Sequence, residues 1–202
     1  TLTGGASSGT HPDGGAIRAP GDNLTMDGVV VTGNTSQAGG GGVSFGVRDV
    51  SSSGSAGSLT IVDSTITSND ATGVAAPPAN GDGGGVLVGG ATSVAITGTT
   101  IADNVAAGRG GGVLLATGMT GGVVIDGSEI SGNDSQTGGG GVAFYSFYGA
   151  ATIEHSRITG NTSARTGGGV YAVFGGSDSL YFPTLSGVQQ IRLDDTEVST
   201  NS

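Results

Sequence analysis

The stretch Leu59 to Asn69, LTIVDSTITSN, decides the fold. Written as apolar-x-apolar-x-x-x-x-apolar-x-x-Asn, it recurs without an internal gap at Leu24 to Asn34, Val94 to Asn104, Val123 to Asn133, Ala151 to Asn161 and Ile191 to Asn201. Position one reads Leu24, Leu59, Val94, Val123, Ala151, Ile191, and position three reads Met26, Ile61, Ile96, Ile125, Ile153, Leu193. Position eight is Val31, Ile66, Ile101, Ile130, Ile158, Val198. Polar residues separate these apolar ones at period two, which is the alternation of a strand and not of a helix. β-Branched residues dominate the inward columns, as a pleated, buried surface favours.

Each of the first five copies is followed by a glycine run ending in valine: Gly39 to Val43, Gly83 to Val86, Gly110 to Val113, Gly138 to Val142 and Gly167 to Val170. From the closing Asn to that Val the distance is nine residues in four copies and seventeen in the copy that holds an insertion between Thr72 and Gly85. From the Val to the next apolar start it varies from eight to twenty-one residues, so insertions gather at one corner of the repeat. A unit of this size, with three short strands facing the same way in every copy, cannot bury its apolar side alone, and stacking of units does so. The expected fold is therefore all-β: a single-domain, right-handed parallel β-helix over residues 1–202, about six coils and ~29 Å long at ~4.8 Å per coil.

The asparagine column, Asn34, Asn69, Asn104, Asn133, Asn161 and Asn201, fits a stack because an amide can donate to one neighbour and accept from the other. The expectation is a structural ladder and not a sugar or metal contact. Asn34, Asn133, Asn161 and Asn23 also open Asn-x-Ser/Thr sequons, and only Asn23 lies off the ladder, where a glycan could reach it.

Composition excludes several classes. Glycine accounts for 44 of 202 residues, in runs that suit tight corners and close approach of coils, not every third position as in collagen. Six Arg and no Lys stand against sixteen acidic residues, a net charge of −10. Nucleic acid and anionic membrane surfaces are therefore not expected partners. There is no Cys for a disulfide or a thiolate metal site, and no apolar run long enough to span a membrane as a helix. The uncapped repeat at both ends reads as part of a longer chain.

Gly14 to Ile17 reads GGAI, and with the repeated apolar-x-x-Asn motif it resembles the repeats of the polymorphic outer membrane protein family, whose paired motifs are GGAI and FxxN. Here the Phe position is Ile or Val and the later glycine motif is GGGV. The resemblance covers nearly the whole chain. It implies a secreted or cell-surface passenger of the adhesin type. The expected role is therefore structural or adhesive and non-catalytic, since the six Arg are scattered and no acid pair is marked as a cleft; the expected partner is a surface receptor, a glycan or another copy of the chain, by end-to-end or lateral assembly. The same coil architecture is shared by pectin lyases and related polysaccharide-cleaving enzymes, which makes a lyase or glycoside hydrolase the rival reading.

Eight of the nine aromatic residues, Phe144, Tyr145, Phe147, Tyr148, Tyr171, Phe174, Tyr181 and Phe182, fall at one corner of consecutive coils. They are the candidate binding surface, because clustered aromatics stack on sugars or bury in a partner; the alternative is a satellite core beneath the Tyr171 to Gln190 excursion. Asp126, Glu154 and Asp194 fall in one outward column, roughly one strand spacing apart. They are the candidate calcium ligands and the best hydrolase guess, set against a solvated acidic stripe. No other cofactor is implied. NGDGGG after Pro77 and Pro78 offers a weaker metal motif, and the loop Gly46 to Ser58 reads as a surface excursion. Glu129, Arg157 and Glu197 alternate in sign as an exposed salt-bridge ladder, and their charges interrupt the threonine row that an ice-binding face would need.

Overall fold

The computed structural model describes residues 1–8, 13–46, 56–73, 81–116, 119, 121–147, 149–174 and 190–202. Among them every strand pairs in parallel, and the strands form four sheets. The first sheet holds Leu24–Asp27, Ala56–Val62, Ala91–Thr97, Val123–Asp126, Ala150–Glu154 and Gln190–Asp194. The second runs from Leu2–Thr3 through Val30–Thr32, Thr65–Thr67, Thr100–Ala102, Glu129–Ser131 and Arg157–Thr159 to Glu197–Ser199. The third is made of two-residue strands, such as Thr35–Ser36 and Val105–Ala106, directly after each Asn. The fourth carries the strands that follow the glycine runs, from Ile17–Ala19 to Val170–Phe174. The chain visits the sheets in this order once per coil, and it is a parallel β-helix.

Each coil thus has four strands where the sequence predicts three. The missed one is too short for any periodicity, and it pairs polar or small residues, for example Asp70 with Val105 and Ala71 with Ala106. Residues 1–8 complete a further partial coil: Leu2 pairs with Val31 and Ala6 with Thr35, which puts Gly5 in the asparagine column.

The predicted columns pair residue for residue. Val94, Ile96 and Ile101 sit between Leu59, Ile61 and Ile66 on one side and Val123, Ile125 and Ile130 on the other. All nine of these side chains are buried, as is the fourth-sheet column Phe45, Val88, Leu115 and Phe144. Burial of each large side chain contributes roughly 1.5 to 3 kcal/mol against the chain entropy lost. At the far coil the same columns surface, with Leu193 48% and Val198 43% exposed.

The glycine runs answer two separate demands. Gly110 has φ +65°, and a Cβ there would lie 2.5 Å from the Val113 carbonyl oxygen. Gly85 and Gly112 have ordinary φ, but a Cβ on Gly85 would lie 2.7 Å from Gly112 O and 3.0 Å from Asn104 Nδ2 of the next coil. The first glycine turns the chain and the last lets coils close on the asparagine ladder. The long, variable connections join the fourth sheet to the first at one corner, and the Thr72 to Gly85 insertion occupies the neighbouring corner, between the third and fourth. The loop residues 47–55, the paired prolines with Asn80, and residues 175–189 lie outside the described residues.

Candidate functional site

The asparagine column is an internal ladder. Asn34 through Asn161 are at most 1% exposed, so none can meet a sugar or an ion. In each step the Oδ1 of one Asn accepts from both the backbone N–H and the Nδ2 of the Asn one coil earlier, as Asn104 Oδ1 does from Asn69 at 3.0 and 2.9 Å. The second Nδ2 hydrogen goes to a carbonyl in the position-eight column, Ile66 O in the case of Asn104 at 2.9 Å. The amide is satisfied on both sides, which a buried polar group requires. The ladder begins at Gly5, whose N–H donates to Asn34 Oδ1 at 2.9 Å, and runs to Asn201. Asn23, by contrast, is exposed, with its Oδ1 accepting from Ser58 N–H and Ser58 Oγ at 2.8 and 3.0 Å.

A second ladder escaped the sequence reading. Position six reads Val29, Ser64, Thr99, Ser128, Ser156, Thr196. The hydroxyls of Ser64, Thr99 and Ser128 each donate to the carbonyl two residues back, at 2.7, 2.9 and 3.0 Å, and accept the N–H of the preceding coil. The column of small hydroxyl side chains was the available signal. It stabilises the turn between the first and second sheets, where position five (Gly28, Asp63, Gly98, Gly127, His155, Asp195) is left-handed in every copy.

The structure divides the aromatic corner. Phe144 and Phe147 belong to the solenoid core, both fully buried, with ring centroids 5.1 Å apart in an edge-to-face arrangement. They are corrected from binding residues to core residues. Strand alternation would turn Phe147 outward beside Tyr145, but the register shifts between them, and Ser146 at φ +49° bulges the strand and returns Phe147 to the inside. Tyr145 and Tyr171 lie on the outer side of the fourth sheet, half-buried against Leu87, Leu114 and Ala143. These three outward side chains are themselves buried, so the satellite core exists. The Arg109 guanidinium stacks 3.7 Å above the Tyr145 ring, and Arg109 is tied to Asp82 through its N–H at 2.8 Å and its side chain at 3.8 Å. Three successive coils are thereby linked on the outside. Phe174 is 40% exposed. Tyr148, Tyr181 and Phe182 lie outside the described residues.

Asp126, Glu154 and Asp194 stand in register on neighbouring strands. The column is laced with bases. His155 Nδ1 lies 2.9 Å from Asp126 Oδ1, and Arg192 donates to Asp194 Oδ2 at 2.6 Å. Among the described residues no three His, Cys, Asp or Glu side chains are grouped so as to hold a metal. Calcium takes roughly six to eight oxygens, and a column engaged by His155 and Arg192 does not fit that demand. Beside it lies an open groove of about 590 Å³, lined by His155, Arg157, Leu193, Asp195 and Glu197. The hydrogen bond to Asp126, with the nearby charges of Asp126, Glu154 and Asp195, raises the His155 pKa above its ordinary value. Of the alternating column, Arg157 pairs with Glu197 at 3.4 Å, while Glu129 accepts from Ser131 Oγ at 3.4 Å.

No protein-family model matches this sequence, and no curated protein or solved structure does. Among the described residues no helix is long and apolar enough to cross a membrane.

Proposed function

We propose that this chain is a secreted or cell-surface β-helix with a structural or adhesive role, in keeping with its GGAI and apolar-x-x-Asn motifs. The observation that carries the reading is the continuity of the buried asparagine ladder from Asn34 to Asn201. The buried amides are committed to joining coils, which makes a stiff rod that presents its outer surface. The contact region is the outside of the fourth sheet, where Tyr171 remains accessible beside the Arg109 and Tyr145 stack; Phe174, in register with the inward Phe147, is not part of that face. Its partner would be a glycan or a surface protein, which aromatic side chains of this kind recognise.

The test is binding of the purified chain to a glycan array and to intact cells, compared with Tyr171→Ala. Saturable binding that the variant loses, with an unfolding midpoint near the parent's, supports the reading; binding unaffected by it places the contact elsewhere. Polysaccharide cleavage is the second reading, favoured by the in-register carboxylates Asp126 and Glu154 with His155 on Asp126. New reducing ends or unsaturated products released by the parent, and not by Glu154→Gln, would establish it in place of adhesion.

A further inference from the structure

The turns between the first and second sheets bring a dense set of charges together in three consecutive coils. Asp126 and Gly127 form the first turn, Glu154 and His155 the second, and Asp194 and Asp195 the third. His155 occupies the middle turn in the left-handed region, φ +48°, at a position that other coils fill with Gly or Asp. A histidine there meets a backbone strain that a glycine would avoid. Its imidazole reaches back one coil to Asp126, and its backbone N–H donates forward to Asp194 O at 3.1 Å. The groups facing it are Asp126 from the coil before, Glu154 from its own strand and Asp195 from the coil after. The two nearby guanidinium groups are already placed, Arg192 on Asp194 and Arg157 on Glu197.

We propose that His155 is a pH-responsive staple: protonated, it holds the turns of three coils together, and on losing its proton it releases the coil formed by Gln190–Asp194 and Glu197–Ser199. The reason is electrostatic. With the imidazolium present, a cation sits among Asp126, Glu154 and Asp195. Without it, those carboxylates and Asp194 are stacked about one strand spacing apart, with Arg192 as the cation left among them. The coil that feels this first is the one that carries Asp194 and Asp195, which meets the His155 turn through the Asp194 carbonyl and the Asp195 carboxylate. The sign follows from linkage. A histidine whose folded-state pKa is raised contributes its stabilisation below the ordinary imidazole value of 6.5, and that contribution disappears as pH rises through the folded-state value.

The experiment is amide hydrogen exchange on the full chain at about pH 5.5 and about pH 8.5, either side of the imidazole range, corrected for intrinsic exchange. In the parent, protection of the amides in 190–199 should fall severalfold from the lower to the higher pH, while that of Thr65–Thr67 stays constant. In His155→Gln the pH dependence should vanish, and in His155→Arg, which keeps a permanent cation, protection should stay high at both values. Constant protection in the parent, or the same fall in His155→Gln, overturns the proposal. Should His155→Gln fail to fold, the imidazole proton resonances decide: His155 must titrate at a higher pH in the parent than in Asp126→Asn, and equal midpoints dismiss the staple.

Discussion

Asn133 Oδ1 accepts two hydrogen bonds from Asn104, one from its backbone N–H and one from its Nδ2, both at 3.0 Å. One side-chain oxygen therefore satisfies a donor on the main chain and another on the side chain of the coil before it. This geometry is the reason an asparagine, and not a serine or an aspartate, recurs at the end of each unit. An ionised aspartate could accept but would have no hydrogen for the carbonyl column beside it.

Asn104→Ala should be among the costliest single changes in the body. It removes Asn104 Oδ1 from the N–H and Nδ2 of Asn69 and leaves the Ile66 carbonyl without its donor. Each buried group left unsatisfied costs about 1 to 3 kcal/mol. Urea unfolding should show a loss of at least that size, and Asn104→Asp should also be destabilised. A parent-like midpoint for the alanine variant would mean that water or a shift of the coil satisfies the stranded groups.

Position in the stack should decide the cost of an apolar truncation. Ile101 is fully buried with a coil on either side, and Ile101→Ala should cost about 2 to 5 kcal/mol. Val198 occupies the same column but is 43% exposed, and Val198→Ala should cost less than about 1 kcal/mol, since most of its transfer energy is not gained. Equal effects in chemical unfolding would contradict the stacking order.

Two glycines with similar backbone angles should respond differently to alanine. Gly127 has φ +55° and open space around a Cβ, so Gly127→Ala bears the left-handed penalty alone, about 1 to 2 kcal/mol. Gly110 has φ +65° and adds a Cβ collision with the Val113 carbonyl. Gly110→Ala should lower the thermal midpoint well beyond Gly127→Ala, or prevent folding, and the comparison separates conformational strain from close approach.

Asp70 offers a prediction in pH. It stands in the third sheet, where partial burial raises its pKa above the ordinary 3.8. The folded state therefore favours the neutral carboxyl, and this residue's contribution to stability falls as pH rises from the ordinary value through the raised one. Asp70→Asn should raise the melting temperature at about pH 7 and lose that advantage near pH 3, where the carboxyl is protonated in both states. A lower melting temperature for the variant at neutral pH would show that the carboxylate gains more from its neighbours than burial costs it.

Much of this architecture is legible because a solenoid repeats its instructions. The columns through Leu59, Ile61, Ile66 and Asn69 are in fixed register along the chain, and that register became the pairing of strands and the course of the ladder. The hydroxyl column through Ser64, Thr99 and Ser128 was equally present in the sequence. It is not legible there as a ladder, because small polar residues between strands resemble ordinary turn residues until the coils are superposed. The candidate site was legible only in part. Tyr171 keeps accessible surface on the outer face, whereas Phe144 and Phe147 are core and Phe174 shares the inward register of Phe147.

By itself the sequence determined the class of fold, the strand register and the buried amides, since period-two apolar columns and an invariant eleven-residue spacing can be satisfied together only by stacking parallel coils. Tertiary structure alone decided the fourth strand of each coil, too short to carry a period. It also decided the inward turn of Phe147, which depends on a one-residue bulge at Ser146, and the meeting of Arg109 with Tyr145 and of His155 with Asp126. Those contacts join residues about one coil apart in sequence, and their distances depend on how many residues each intervening loop contains and which way a single side chain points. A repeat pattern specifies what every coil shares, but function at the surface arises where the coils differ.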